Sequence, residues 1–99
     1  MVFDISKVTG IGEFTTQKEK DRELYLKNSH VFLVVRANTI EVRCDLQLSR
    51  TLIEKYESVM ESRYFGRGGI EIVLAGNQFT TSEIEDLVRL SYNLTEDES

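Results

Sequence analysis

Cys44 and His30 are the single cysteine and the single histidine of this 99-residue chain, and they bound its chemistry. One cysteine permits no disulfide within the chain. With one histidine beside it, it makes no cysteine-based zinc site. Cys44 is in phase with Ile40 and Val42, so the alternation predicts that it points into a core, where free cysteines are commonly found. His30 falls in a predicted turn, Asn28-Ser29-His30, with no evident partner, and reads as a solvated turn residue. A serine nucleophile needs a base within reach. His30 is the only histidine available, and no Gly-x-Ser-x-Gly occurs. Gly10-Ile11-Gly12 lacks the third glycine of a dinucleotide fingerprint. Gly66-Arg67-Gly68-Gly69 lacks the spacing and the Lys-Ser/Thr of a P-loop, and reads as a flexible hairpin turn. Glu83, Glu85 and Asp86 are hard-cation ligands by type. Their place in the first turns of a predicted helix, where the dipole favours anions, accounts for them without a metal. The expectation is a non-catalytic protein with no metal and no cofactor.

The arginines carry more. Arg36 and Arg43 leave neighbouring predicted strands, and Arg63 and Arg67 flank Tyr64-Phe65. Arginine beside aromatic rings in a hairpin can hold phosphate and stack on bases. A solubilising hairpin is the plainer reading of the same residues. The chain carries a net charge of −5, which argues against generic polyanion binding but leaves room for a local basic patch. Residues 1–50 hold eight basic against seven acidic side chains, and residues 51–99 hold four against ten.

The elements that must position these residues form one domain, as the length predicts. A hydrophobic fraction of 40% and a charged fraction of 29% are those of a globular chain, not a disordered one. Residues 1–20 read as a strand or irregular arm around Phe3, Ile5 and Val8, then a polar loop. Glu23, Tyr25 and Lys27 alternate with Leu24 and Leu26, the period of a half-buried strand. Residues 31–36 are a continuous apolar, β-branched run and predict a central strand. After a turn at 37–39, Ile40, Val42 and Cys44 alternate with Glu41 and Arg43, completing an antiparallel meander. Asp45 is a natural N-cap for a helix over 46–58, with Leu48, Leu52, Ile53, Tyr56 and Val59 as its buried stripe. A short strand at 62–65, the glycine turn and a strand at 70–74 follow. Thr80 and Glu83 form a capping-box pattern for a last helix, with Ile84, Leu87, Val88 and Ser91 on one face. Residues 95–99 read as a frayed acidic tail. The predicted class is α+β: an antiparallel sheet with helices packed on one face, in the order (β)-β-β-β-α-β-β-α. The longest apolar run, residues 31–35, is far below the ~20 residues of a membrane span. The opening lacks the basic and apolar segments of a secretory signal. A cytoplasmic protein with a reduced Cys44, not bound to membrane, is expected.

Over residues 22–94 the chain resembles the MmcQ/YjbR-like proteins, small bacterial proteins also grouped as CyaY/MmcQ-like. The resemblance rests on Val42-Arg43-Cys44-Asp45, a strand end before a helix, and on Glu54-Lys55-Tyr56 near that helix's end. It rests also on Leu74-Ala75-Gly76 and on the closing helix Leu87-Val88-Arg89-Leu90-Ser91-Tyr92-Asn93-Leu94. It implies an α-β(3)-α-β(2)-α fold like that of secretion chaperones, and a DNA-binding role in which hairpins act as paired wings on the duplex. The chain departs from the family in three ways. Residues 1–20 do not read as the family's first helix. Arg67-Gly68-Gly69 stands where the family carries a basic residue followed by His-Trp, so Arg67 keeps the charge and the tryptophan is gone. The family's prolines are absent.

Two functions of different class follow. One is a DNA-binding module using Arg36, Arg43, Arg63 and Arg67. The other is a protein-interaction or chaperone-like module, with a protein partner or a second copy of itself, that presents a sheet face left uncovered by the missing first helix.

Overall fold

In the computed structural model, which describes residues 3–76 and 78–95, the alternating segments form one six-stranded antiparallel sheet. The strands are β1 (Thr15–Lys18), β2 (Arg22–Lys27), β3 (His30–Arg36), β4 (Thr39–Arg43), β5 (Val59–Ser62) and β6 (Gly66–Val73). The helices are α1 (Leu46–Lys55) and α2 (Thr81–Leu94). The sheet order is β1-β2-β3-β4-β6-β5, so β6 inserts between β4 and the edge strand β5. Both helices pack on one face, α1 over β5 and β6, α2 over β3 and β4. The class and order agree with the sequence.

The helix-side core gathers Phe32, Leu33, Ile40, Val42, Ile70 and Ile72 from the sheet and Ile84, Val88 and Tyr92 from α2. Cys44 is buried in it, and burial pushes its thiol up to about 11, with Asp45 adding to the effect. The protonated thiol is a packing group, not a nucleophile. His30 lies exposed at the start of β3.

A bulge shapes the centre of the sheet. Tyr25 pairs with Leu33 and Leu26 with Val31, leaving Phe32 as the extra residue. Phe32 and Leu33 both join the helix-side core, whereas Val31 and Val34 join a second cluster on the other face with Leu24. The Ser91 hydroxyl fills the gap in the ladder. It donates to the Phe32 carbonyl at 2.6 Å and accepts from the Arg43 amide at 2.7 Å. Tyr92 stacks edge-on against Phe32 and donates its hydroxyl to the Glu13 carbonyl at 2.9 Å. The Ser-Tyr pair of α2 therefore fastens the helix to β3, β4 and the N-terminal arm.

Several local expectations are corrected. Of the strand or irregular arm expected around Phe3, Ile5 and Val8, the strand does not form, and Ile5–Lys7 make a 3-10 turn capped by Asp4. The polar stretch expected as a loop holds β1, whose threonines suit an edge strand and whose backbone completes the outer side of β2. Tyr25 is buried along with Leu24, because both faces of β2 are covered there. Helix α1 stops at Lys55 instead of 58. Tyr56 takes an extended conformation, and its ring packs against Phe79 at 4.5 Å. Val59 opens β5, so that strand precedes the 62–65 segment where it was expected. Gly66-Arg67-Gly68-Gly69 is the first half of β6, not a free turn. The N-caps at Asp45 and Thr80 and the capping box with Glu83 form as expected. Of the expected acidic tail, residues 96–99 lie outside the described residues, as does Asn77 in the segment that ends β6.

Candidate binding face

The face of the sheet away from the helices is built around two glutamates that the sequence places mid-strand between apolar neighbours, Ile40-Glu41-Val42 and Ile70-Glu71-Ile72. They sit directly opposite each other on β4 and β6. Both are almost fully buried, at 0% and 1% exposure. Two buried like charges side by side are unfavourable unless each has a counter-charge. Arg36 supplies one, its Nε donating to Glu41 Oε2 at 2.5 Å. Arg63 supplies the other in a two-point grip, with Nε to Glu71 Oε1 at 3.0 Å and Nη2 to Oε2 at 2.5 Å. Thr39 adds a hydroxyl to Glu71 at 2.9 Å.

Glu41 also organises the β5–β6 connection. Its Oε1 accepts from the Ser62 hydroxyl at 2.7 Å and from the Tyr64 amide at 2.8 Å. Ser62 in turn accepts from the amides of Tyr64 and Phe65. The turn is thereby folded over the sheet, and Phe65 packs on the Leu24, Val31 and Val34 cluster. Arg22 lies over the Tyr64 ring at 5.3 Å, and Arg43 over the Phe65 ring at 4.9 Å. Arg43 also donates its Nε to the Val31 carbonyl at 2.8 Å. Arg22 pairs with Glu19 at 2.6 Å and stands opposite Arg36 in the β2–β3 register.

The four arginines singled out from sequence thus have different situations. Arg36, Arg43 and Arg63 come together on the helix-free face, each tied to the protein. Arg67 is exposed in β6 and has no hydrogen bond or ion pair among the described residues. Arg22, Glu41, Glu71 and Ser62 escaped sequence reasoning. Their signal was a pair of glutamates each set between β-branched apolar neighbours, Ile40-Glu41-Val42 and Ile70-Glu71-Ile72. Alternation separates two faces of a strand but does not say which face a hairpin will cover.

Burial by itself pushes the Glu71 carboxyl up. The Arg63 and Thr39 hydrogen bonds and the charges of Arg63 and Arg36 together outweigh it and hold the carboxyl below its ordinary value of 4.5. A carboxylate whose folded value is depressed contributes stability above its unfolded value and loses it as the pH falls through the folded one. Acid titration followed by circular dichroism is expected to show stability falling below pH 4.5, with a shallower fall in Glu71→Gln. Parallel curves for parent and variant would remove Glu71 as the cause.

No group of three or more acidic, histidine or cysteine side chains among the described residues is placed to hold a metal ion. Glu83 closes its capping box and Asp86 pairs with Arg89. No helix among the described residues is long and apolar enough to cross a membrane. No protein-family model, curated protein or solved structure matches the chain.

Proposed function

We propose that this chain is a non-catalytic, MmcQ/YjbR-like binding module whose helix-free sheet face engages DNA through phosphate contacts. One observation carries the reading. Arg22, Arg36, Arg43 and Arg63 gather on one face, and the carboxylates that balance two of them, Glu41 and Glu71, are buried beneath. In the Arg36–Glu41 and Arg63–Glu71 pairs the charge is layered, with the anion inside and the guanidinium outside it, whereas Arg22 has its partner Glu19 at the surface. The Arg63 side chain is 62% exposed. Each guanidinium has five N–H donors in a rigid fork. Arg22, Arg36 and Arg43 use Nε internally and keep both terminal groups for phosphate, whereas Arg63 also commits Nη2 to Glu71 and keeps Nη1. Holding the fork in place beforehand reduces the entropy lost on binding. Tyr64, 39% exposed, offers a ring at the same place.

Arg43 and Arg67 are the informative pair, because neither has a carboxylate partner among the described residues and their removal uncovers no buried charge there. Fluorescence anisotropy with a labelled duplex is expected to show affinity falling steeply with salt. Replacing both residues (Arg43→Gln and Arg67→Ala) should lower the log–log slope by about two, roughly one per phosphate contact. Absence of binding at low salt, or a double variant indistinguishable from the parent, would overturn the reading. Arg63→Ala is a poor probe, since it strands Glu71.

A further inference from the structure

The helix-free face is made of two pieces that no strand pairing joins. Arg36 ends β3, and the connection between β5 and β6 carries Arg63 and Tyr64. In the sheet order β4 and β6 stand between β3 and β5. Glu41, in the middle of β4, reaches both pieces with one carboxylate. Its Oε2 accepts from Arg36 Nε at 2.5 Å. Its Oε1 accepts from the Ser62 hydroxyl at 2.7 Å and from the Tyr64 amide at 2.8 Å. Three donors from two separate stretches of chain thus converge on one fully buried side chain. Glu71, directly opposite, is used differently. It spends its oxygens on the Arg63 guanidinium and the Thr39 hydroxyl. Glu41 therefore joins Arg36 to the turn, and Glu71 joins Arg63 to β4.

We infer that Glu41 is a positioning residue for DNA binding. It sets Arg36 and the turn carrying Arg63 and Tyr64 at a fixed separation, so that both pieces reach the same stretch of phosphates. The inference rests on the phosphate-binding reading above. A carboxylate beneath such a surface acts in two opposite senses. Its charge repels phosphate, and protein screens that repulsion less than water does. Its hydrogen bonds hold the donors in place and lower the entropy lost on binding. The geometry favours the second effect. The charge of Glu41 is met at contact distance by Arg36, so little of it acts outward. Without Glu41, Arg36 is drawn inward to Glu71, the other buried carboxylate of the face, whose charge it already feels. The Ser62 hydroxyl and the Tyr64 amide lose the acceptor that folds the turn over the sheet.

The test is a duplex titration by anisotropy on the full chain carrying Glu41→Gln, which keeps the shape of the side chain and removes its charge. The net charge rises by one from −5. A carboxylate that acted by charge alone would tighten binding when lost. Positioning predicts the reverse. Binding should weaken about five-fold, and the log–log salt slope should fall by about one as the Arg36 contact is lost. Partial unfolding scales the apparent affinity by the folded fraction but leaves the slope of the folded molecules unchanged, so the slope reads positioning and not stability. Ser62→Ala is the second variant. It alters no charge, leaves the Arg36–Glu41 pair in place and loosens only the turn, and it should weaken binding about three-fold. Glu41→Gln binding as tightly as the parent or more tightly, or Ser62→Ala indistinguishable from the parent, would overturn the inference and leave phosphate binding by Arg43 and Arg67 standing. A parent that binds no duplex at low salt would instead remove the underlying reading, and the role of Glu41 with it.

Discussion

Arg36→Met is expected to destabilise the fold by about 3 kcal/mol, measured by urea unfolding, although it changes a residue at the rim of the sheet. The substitution keeps the apolar stem and removes the charge. Glu41 is then left fully buried, directly opposite Glu71, with only the Ser62 hydroxyl and the Tyr64 amide as donors. Its nearest cation is gone, and Arg22 and Arg63 reach its charge only at longer range. A buried carboxylate without its partner costs far more than the pair contributes when intact. That asymmetry gives the control. Adding Glu41→Leu to Arg36→Met removes the stranded charge and should recover more than half of the loss. The Tyr64 amide keeps the Ser62 hydroxyl as acceptor at 3.1 Å. A double variant no more stable than the single would show that the two residues are not coupled.

Gly69→Ala is the second large effect, and it separates the glycine-rich segment from a flexible turn. A Cβ at Gly69 would lie 2.5 Å from the Val42 carbonyl oxygen and 2.7 Å from Phe65 Cβ. One obstacle is backbone and the other is a Cβ fixed directly to the backbone, so neither yields by a side-chain rotation. Either β4 and β6 separate at the Arg43–Gly69 pair, or Phe65 lifts from the Leu24, Val31 and Val34 cluster. A loss of about 3 kcal/mol is expected, the upper range for overpacking. In a chain this size that is a fall in Tm of roughly 15 °C. Gly66 is the internal comparison. It has φ +64° but nothing within 4 Å of an added Cβ. Gly66→Ala should cost only the left-handed conformation, about 1–2 kcal/mol. Calorimetry that ranked the two variants in the opposite order would refute this account of the segment.

These two sites show what could be read in advance and what could not. The central strands, both helix N-termini and the buried Cys44 follow from periodicity and capping, which are local. The same locality misled at Gly66-Arg67-Gly68-Gly69. Four residues with three glycines and an arginine have little strand propensity, and their extended form is imposed by β4 beside them. Thr15–Lys18 is a strand for a similar reason, since β2 offers it an open backbone edge. The arginines at 36, 43 and 63 were recognisable as a group. Their glutamate partners were not, because ion pairs between β3 and β4 and between the hairpin and β6 depend on which strands become neighbours. The insertion of β6 between β4 and β5 brings Glu41 and Glu71 together, and nothing in the spacing of residues 41 and 71 announces it.

The two outer strands of the sheet share a property with consequences for the molecule at high concentration. β1 is four residues long, polar throughout and fully exposed, with Lys18 at its end. β5 is also four residues long, and its pairing is broken by a bulge at Glu61/Ser62. An open edge recruits strands from other molecules when it is long, flat and apolar. Neither margin has that form. Runaway stacking of sheets between molecules is disfavoured at both ends, and crowding should leave the chain dispersed rather than drawn into fibres.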